Sequence, residues 1–155
     1  MTQARRFREL LHRDGMVTAP GAYDGITAKL IAQAGFEAVY MTGAGTAATF
    51  GYPDFGLLTM SEMVGNARRI AAAVDLPVIA DADTGYGNEL NVFRTVREFE
   101  TAAVAGIHIE DQGFPKKCGN RGRSSGGIRD QRGWLMSCGR YGTTAVPAML
   151  SRLPR

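Results

Sequence analysis

Two rhythms of apolar residues alternate along the chain as far as Asp111. Short, nearly continuous apolar runs occur at "GMVTAP" (15–20), "FEAVYMTG" (36–43), "LPVIAD" (76–81) and "GIHIED" (106–111), and each reads as a strand. The segments around them carry apolar residues at helical spacing. An amphipathic stretch precedes the first run. "GITAKLIAQAGF" then puts Ile26, Leu30, Ile31 and Ala34 on one face, with Asp24 as N-cap and Gly35 as stop. "TMSEMVGNARRIAAAV" opens on a capping box, Thr59 and Glu62, and spaces Met60, Met63, Val64, Ala67, Ile70, Ala71 and Val74 along a helix. "NELNVFRTVREFETAAVAG" predicts a further helix capped by Asn88, with Val92, Val96, Phe99 and Ala103 inward and Gly106 just past its end. Strands alternating with helices predict an α/β fold with a parallel sheet. A doubly wound sheet and a (β/α)₈ barrel share this pattern, and both place reactive residues after the strands.

Those positions are polar here. Asp81 and Asp83 close the third run, and strand alternation would send both carboxylates to one face. Two neighbouring carboxylates repel unless a cation or a shared proton intervenes, and Mg²⁺ is held typically by one or two carboxylates plus water. The competing reading makes both acids caps of the following turn, which Gly85 and Gly87 also suggest. After the second run, Gly43, Ala44 and Gly45 allow backbone amides to approach an anion, although Gly-x-Gly is common in any tight strand-to-helix turn. After the fourth, His108 and Glu110 share a strand face, His108 reading as a satisfied core residue. Lys116 and Lys117 lie beside Cys118, where ammonium groups favour thiolate.

Composition adds a division of the chain. Residues 1–118 hold 11 Lys and Arg against 14 Asp and Glu, whereas 119–155 hold 7 Arg and one acid, Asp130. The net +3 therefore arises in the last quarter and does not mark the preceding domain as a nucleic-acid binder. Two cysteines are too few for a disulfide framework. The start "MTQARRFREL" lacks a signal-peptide core, and no apolar run reaches membrane-spanning length. The expectation is a cytoplasmic protein with neither membrane nor nucleic-acid partners.

The ordered set "AYDGITAKLIAQAGFEAVYMTGAG", "GYPDFGLLT", "LPVIADADTGYGN", "VAGIHIEDQ" and "PKKCG", from about Pro20 to Gly119, resembles the isocitrate lyase and phosphoenolpyruvate mutase superfamily. The resemblance implies a (β/α)₈ TIM-type barrel, of which residues 1–118 are the N-terminal half. It implies Mg²⁺, with Mn²⁺ as substitute, at Asp81, Asp83 and Glu110, Asp83 being the nearer ligand and Asp81 acting through water. It assigns Thr42, Gly43 and Ala44 to a loop gripping a substrate carboxylate, where lyases of the family often have Ser-Gly-Gly. It places Asp54 near the metal and Tyr40 near the substrate, and it matches Lys116 and Cys118 to a catalytic lid whose Cys is the general acid. The implied partner is a small carboxylic acid: a 2-hydroxy di- or tricarboxylate of the 2-methylisocitrate or dimethylmalate type, cleaved to an α-keto acid and a carboxylate. Phosphonomutases and oxaloacetate decarboxylases use the same scaffold. Full-length relatives are homo-oligomers, tetramers.

After Gly119 the pattern breaks. Asn120 stands where the family has His, and the text becomes rich in Arg, Gly and Ser. Two readings of 119–155 stand: a disordered basic tail, or out-of-frame translation of a truncated gene. A closed barrel takes about 250 residues. Four strands alone would leave the fourth as an unpaired edge and the chain an inactive fragment.

Overall fold

The computed structural model describes residues 2–112, Lys116, and two further strands. The elements are α1 (Gln3–His12), β1 (Gly21–Ala22), α2 (Gly25–Gln33), β2 (Val39–Met41), α3 (Gly43–Thr49), α4 (Met60–Ala73), β3 (Val78–Asp81), α5 (Glu89–Thr101), β4 (Gly106–Glu110), β5 (Gly133–Ser137) and β6 (Thr144–Pro147). One sheet runs in the order β1-β2-β3-β4-β5-β6. β1 to β4 are parallel neighbours, in the registers Gly21↔Tyr40, Val39↔Val78 and Asp81↔His108. This is the β/α alternation of a TIM barrel, in four units. Among the described residues no helix is long and apolar enough to cross a membrane.

Local signals set most helix ends. Asp24, Thr59 and Asn88 each close a capping box at α2, α4 and α5, satisfying amides that a helix start leaves open. Met63, Val64, Ala67 and Ile70 of α4 are buried as their spacing predicts. Other expectations are corrected. The first strand is Gly21–Ala22, not 15–20; Pro20 has no N–H to donate, and its carbonyl only accepts from Tyr40 at 2.9 Å. On α2, Ile31 is buried as expected, but Ile26 is 71% and Leu30 58% exposed and Ala34 is exposed; Ala28 is the other buried residue. Gly25 lies so near α4 that a Cβ there would stand 3.3 Å from that of Ala73. α5 ends at Thr101 because Ala103, exposed and at φ +62°, takes the left-handed conformation usual for glycine. The edge expected at β4 is covered by β5, antiparallel from Gly106↔Ser137 to Glu110↔Gly133, and β6 extends the sheet further.

The sheet separates two apolar layers. Val39, Met41, Val78, Ala80, Ile107 and Ile109 face the helices and meet Met63, Ala67, Ile70 and Phe99. On the other face, Ala38, Ile79 and Ala105 pack around Phe7 of α1, which is buried. Alternation then brings Tyr40, Asp81, His108 and Glu110 to this inner face at the carboxyl ends of the strands. Parallel strands covered on both sides explain why β3 is buried at all four positions.

Phe99 is completely buried between α5 and the sheet. Phe99→Ala is expected to lower unfolding stability by about 3–5 kcal/mol, measured by urea denaturation followed by far-UV circular dichroism; a loss below about 1 kcal/mol, the range of a surface change, would contradict this packing.

Candidate active site

The site begins where β3 stops. Asp81 accepts the Gly43 amide on Oδ2 at 3.2 Å and the Asp83 amide on Oδ1 at 3.0 Å. A Cβ on residue 43 would lie 2.5 Å from that Oδ2, so glycine is required for the α3 turn to approach the acid. Asp83 itself lies beyond the strand at φ +47°. The two acids therefore converge through a turn and not through strand alternation, which corrects the geometric premise while keeping the carboxylates together. The turn continues in left-handed geometry through Gly85, Tyr86 and Gly87 at +89°, +61° and +145°. It is pinned from behind by Thr95 of α5, whose buried hydroxyl donates to the Gly85 carbonyl at 2.9 Å. From the front, the Glu110 amide donates to the Asp83 carbonyl at 2.7 Å.

Lys116 enters this cluster from above and is only 5% exposed. Its ammonium donates to Asp83 Oδ1 and to Asp54 Oδ1, the latter at 3.0 Å, and stands 4.0 Å from Glu110 Oε2. Burial raises the Asp83 carboxyl above its ordinary range; the Lys116 hydrogen bond opposes this, and Asp81 adds to it. Glu110 is likewise raised by burial against the opposing charge of Lys116. Burial alone would lower Lys116, but the Asp83 hydrogen bond and surrounding negative charge outweigh it and hold the ammonium protonated. Tyr40 is pushed far up by burial and by the charges of Asp81 and Glu110, so its phenol stays protonated; its hydroxyl lies 3.3 Å from His108 Nδ1.

Of the residues singled out in the sequence, Asp54, Asp81, Asp83, Glu110, Lys116, Tyr40 and Gly43 gather at one end of the sheet. Thr42 is the N-cap of α3, its hydroxyl accepting from the Gly45 amide at 3.3 Å, and Ala44 is exposed on the first turn. Cys118 lies outside the described residues. A cleft of about 840 Å³ opens beside Asp83 and Lys116, lined also by Leu57, Met60, Thr84, Tyr86 and Gln112, none of which the sequence argument selected. Tyr86 carried a signal in its place between two turn glycines. Its hydroxyl is buried without a hydrogen-bond partner among the described residues.

The donors suit a hard cation. All are carboxylate oxygens, and those of Asp54, Asp83 and Glu110 already surround one cation, the Lys116 ammonium. Among the described residues no group of three or more His, Cys, Asp or Glu side chains is disposed to hold a metal ion. Mg²⁺ does not require one, because it is commonly held by one or two carboxylates and keeps several waters.

A family model described as phosphoenolpyruvate phosphomutase matches residues 7–132. The chain belongs to this family, within the isocitrate lyase and phosphoenolpyruvate mutase superfamily. It is 60% identical over 121 residues to the 2,3-dimethylmalate lyase of Eubacterium barkeri, covering 77% of this chain and 42% of that protein. A crystal structure of 2,3-dimethylmalate lyase superposes with a TM-score of 0.71 at 46% identity, over 76% of this chain and 40% of the other. Phosphonopyruvate hydrolase, solved with oxalate and Mg²⁺, superposes at 0.72 with 38% identity, over 76% and 41%. The chain thus spans about two fifths of the length of these relatives.

Because Asp83 and Glu110 are raised above their ordinary 3.8 and 4.5, the native state binds their protons more tightly than the unfolded chain. Their contribution to stability is complete below those ordinary values and is lost as pH rises through the raised native ones. Glu110→Gln is expected to flatten the fall in stability above pH 4.5, read from urea midpoints of metal-free protein across a pH series; an unchanged slope would show that Glu110 is not held this way.

Proposed function

We propose that this chain carries the metal-binding end of a cytoplasmic, Mg²⁺-dependent carbon–carbon lyase that cleaves a 2-hydroxy di- or tricarboxylate of the dimethylmalate or 2-methylisocitrate type. The observation that carries the reading is the acid cluster at the carboxyl ends of parallel strands, Asp81 and Asp83 buried and Glu110 partly buried, with Lys116 against it. This is where barrel enzymes hold their reacting groups. The similarity to 2,3-dimethylmalate lyase supports the substrate class.

Asp83 and Glu110 would hold the cation, with Asp81 beside them. Bound there, Mg²⁺ supplies a Lewis acid that lowers the pKa of a chelating 2-hydroxyl and steadies the negative charge of the α-keto acid product. Asp81 fixes the site by tying the Gly43 amide and the Asp83 turn together. Lys116, kept charged by its carboxylate neighbours, presents an ammonium to the substrate's anionic oxygens. Tyr40 remains a protonated phenol against His108 and donates or positions without becoming an anion. Once the 2-hydroxyl has given its proton to water, its oxygen would form the keto C=O as the carbon–carbon bond breaks. The electron pair of that bond would leave on the second product, an enolate-like carboxylate, and the Cys118 thiol would protonate that carbon. The cleft of about 840 Å³ beside Asp83 is large enough for a substrate of this size.

A mutase or decarboxylase reading rests on the family model, which carries a phosphomutase description. Products separate the two: pyruvate from 2,3-dimethylmalate or 2-methylisocitrate marks the lyase, and a rearranged phosphonate in the phosphorus NMR spectrum marks the mutase. With the lyase substrate, Cys118→Ser is expected to reduce turnover by about 10²–10⁴-fold with KM nearly unchanged. Wild-type turnover in that variant would remove Cys118 from the reaction.

A further inference from the structure

Lys116 and a divalent cation lay claim to the same oxygen atoms. The Lys116 ammonium hydrogen-bonds Asp83 Oδ1, lies 3.0 Å from Asp54 Oδ1 and stands 4.0 Å from Glu110 Oε2. Two of these three acids, Asp83 and Glu110, are the candidate metal ligands, and the Lys116 side chain is 4% exposed. Carboxylates this close, one buried and two partly buried, repel unless a positive charge stands among them. In the metal-free chain that charge is Lys116. Its stem is also seated: a Cβ on Gly56, which adopts φ +65°, would stand 3.5 Å from Lys116 Cβ. Two cations cannot share Asp83 Oδ1 without strong mutual repulsion.

We propose, resting on the magnesium reading above, that Lys116 is a built-in competitor for the metal site: its ammonium neutralises the acid cluster until a divalent cation arrives, and metal entry moves it from Asp83 to Asp54. Asp54 is suited to receive it, being already in contact with the ammonium and outside the pair of candidate ligands. Apparent metal affinity is then the intrinsic affinity reduced by the fraction of molecules in which Asp83 is free. Metal occupancy in turn sets where the chain holds Lys116, two residues ahead of Cys118.

The test is the dissociation constant of the full chain for Mg²⁺ by calorimetry and for Mn²⁺ by electron paramagnetic resonance, with no substrate and no turnover involved. Lys116→Met is expected to bind about tenfold more tightly, and Lys116→Arg, which keeps the charge, to stay within about twofold of wild type. Lys117→Met, which removes the same unit charge from the neighbouring residue, is expected to stay within about twofold as well. Asp54→Asn, which takes away the receiving carboxylate, is expected to bind metal more weakly. If Lys116→Met unfolds without metal, the dependence of its melting temperature on Mn²⁺ concentration yields the same constant. Wild-type or weaker affinity in Lys116→Met, or equal tightening in Lys117→Met, would overturn the competition while leaving the magnesium site standing. Failure of wild type and Lys116→Met alike to bind either ion would overturn both.

Discussion

Acids buried together at the end of a parallel sheet impose the constraint around which this structure is arranged. Asp81 and Asp83 are each 7% exposed, and Glu110 lies close by. Removing a carboxylate from water costs several kcal/mol even after the surroundings relax. The chain offsets that cost in two ways. Backbone amides from Gly43 and Asp83 are given to Asp81, and a buried ammonium is given to Asp83. The start of α3, the left-handed turn after β3 and the placement of Lys116 all serve one charge cluster.

The fold explains why this cluster forms at one end only. The inner face of the sheet is apolar at the amino ends of the strands, where Phe7 of α1 packs against Ala38, Ile79 and Ala105. Toward the carboxyl ends the same face carries Tyr40, Asp81, His108 and Glu110. α4 and α5 clamp the outer face through Met63, Ile70 and Phe99, and α5 also pins the turn after β3 through Thr95. A helix that stabilises the core thus also sets the position of Asp83. Apolar packing and site geometry are coupled there through a single buried hydroxyl.

What the sequence made legible was local. The capping residues Asp24, Thr59 and Asn88 act within three residues of themselves, so the helix starts could be read directly. The inward face of α4 followed its apolar period. α2 did so only in part: Ile31 is buried, but small Ala28 is the other inward residue, and Gly25 comes within Cβ contact distance of Ala73, a nearness of two helices that no periodicity encodes. α3 was hidden in a Gly- and Ala-rich turn whose N-cap, Thr42, had been read for its binding chemistry. The proximity of Asp81 and Asp83 was legible, but its cause was not, since Asp83 in left-handed geometry breaks the two-residue period. The meeting of Lys116 with Asp54, 62 residues apart, belongs to the tertiary fold. So do the pairing of β4 with β5 and of β5 with β6, in a region whose composition suggested no regular structure.

The family names attached to this fold differ in reaction yet share what such an acid cluster can do. A lyase, a phosphomutase and a phosphonopyruvate hydrolase each match this chain. Carboxylates that hold a hard cation can steady an oxyanion next to a carboxylate, whatever bond is broken beside it. On the proposed reading the cluster sets the class of oxyacid, and a second group sets the fate of the departing atoms. That group, on the same reading, is Cys118, which can return a proton to carbon. Lys116 lies against Asp83 and, in the sequence, two residues before Cys118. On the proposed reading its side chain is where cation binding and the cleavage step are joined.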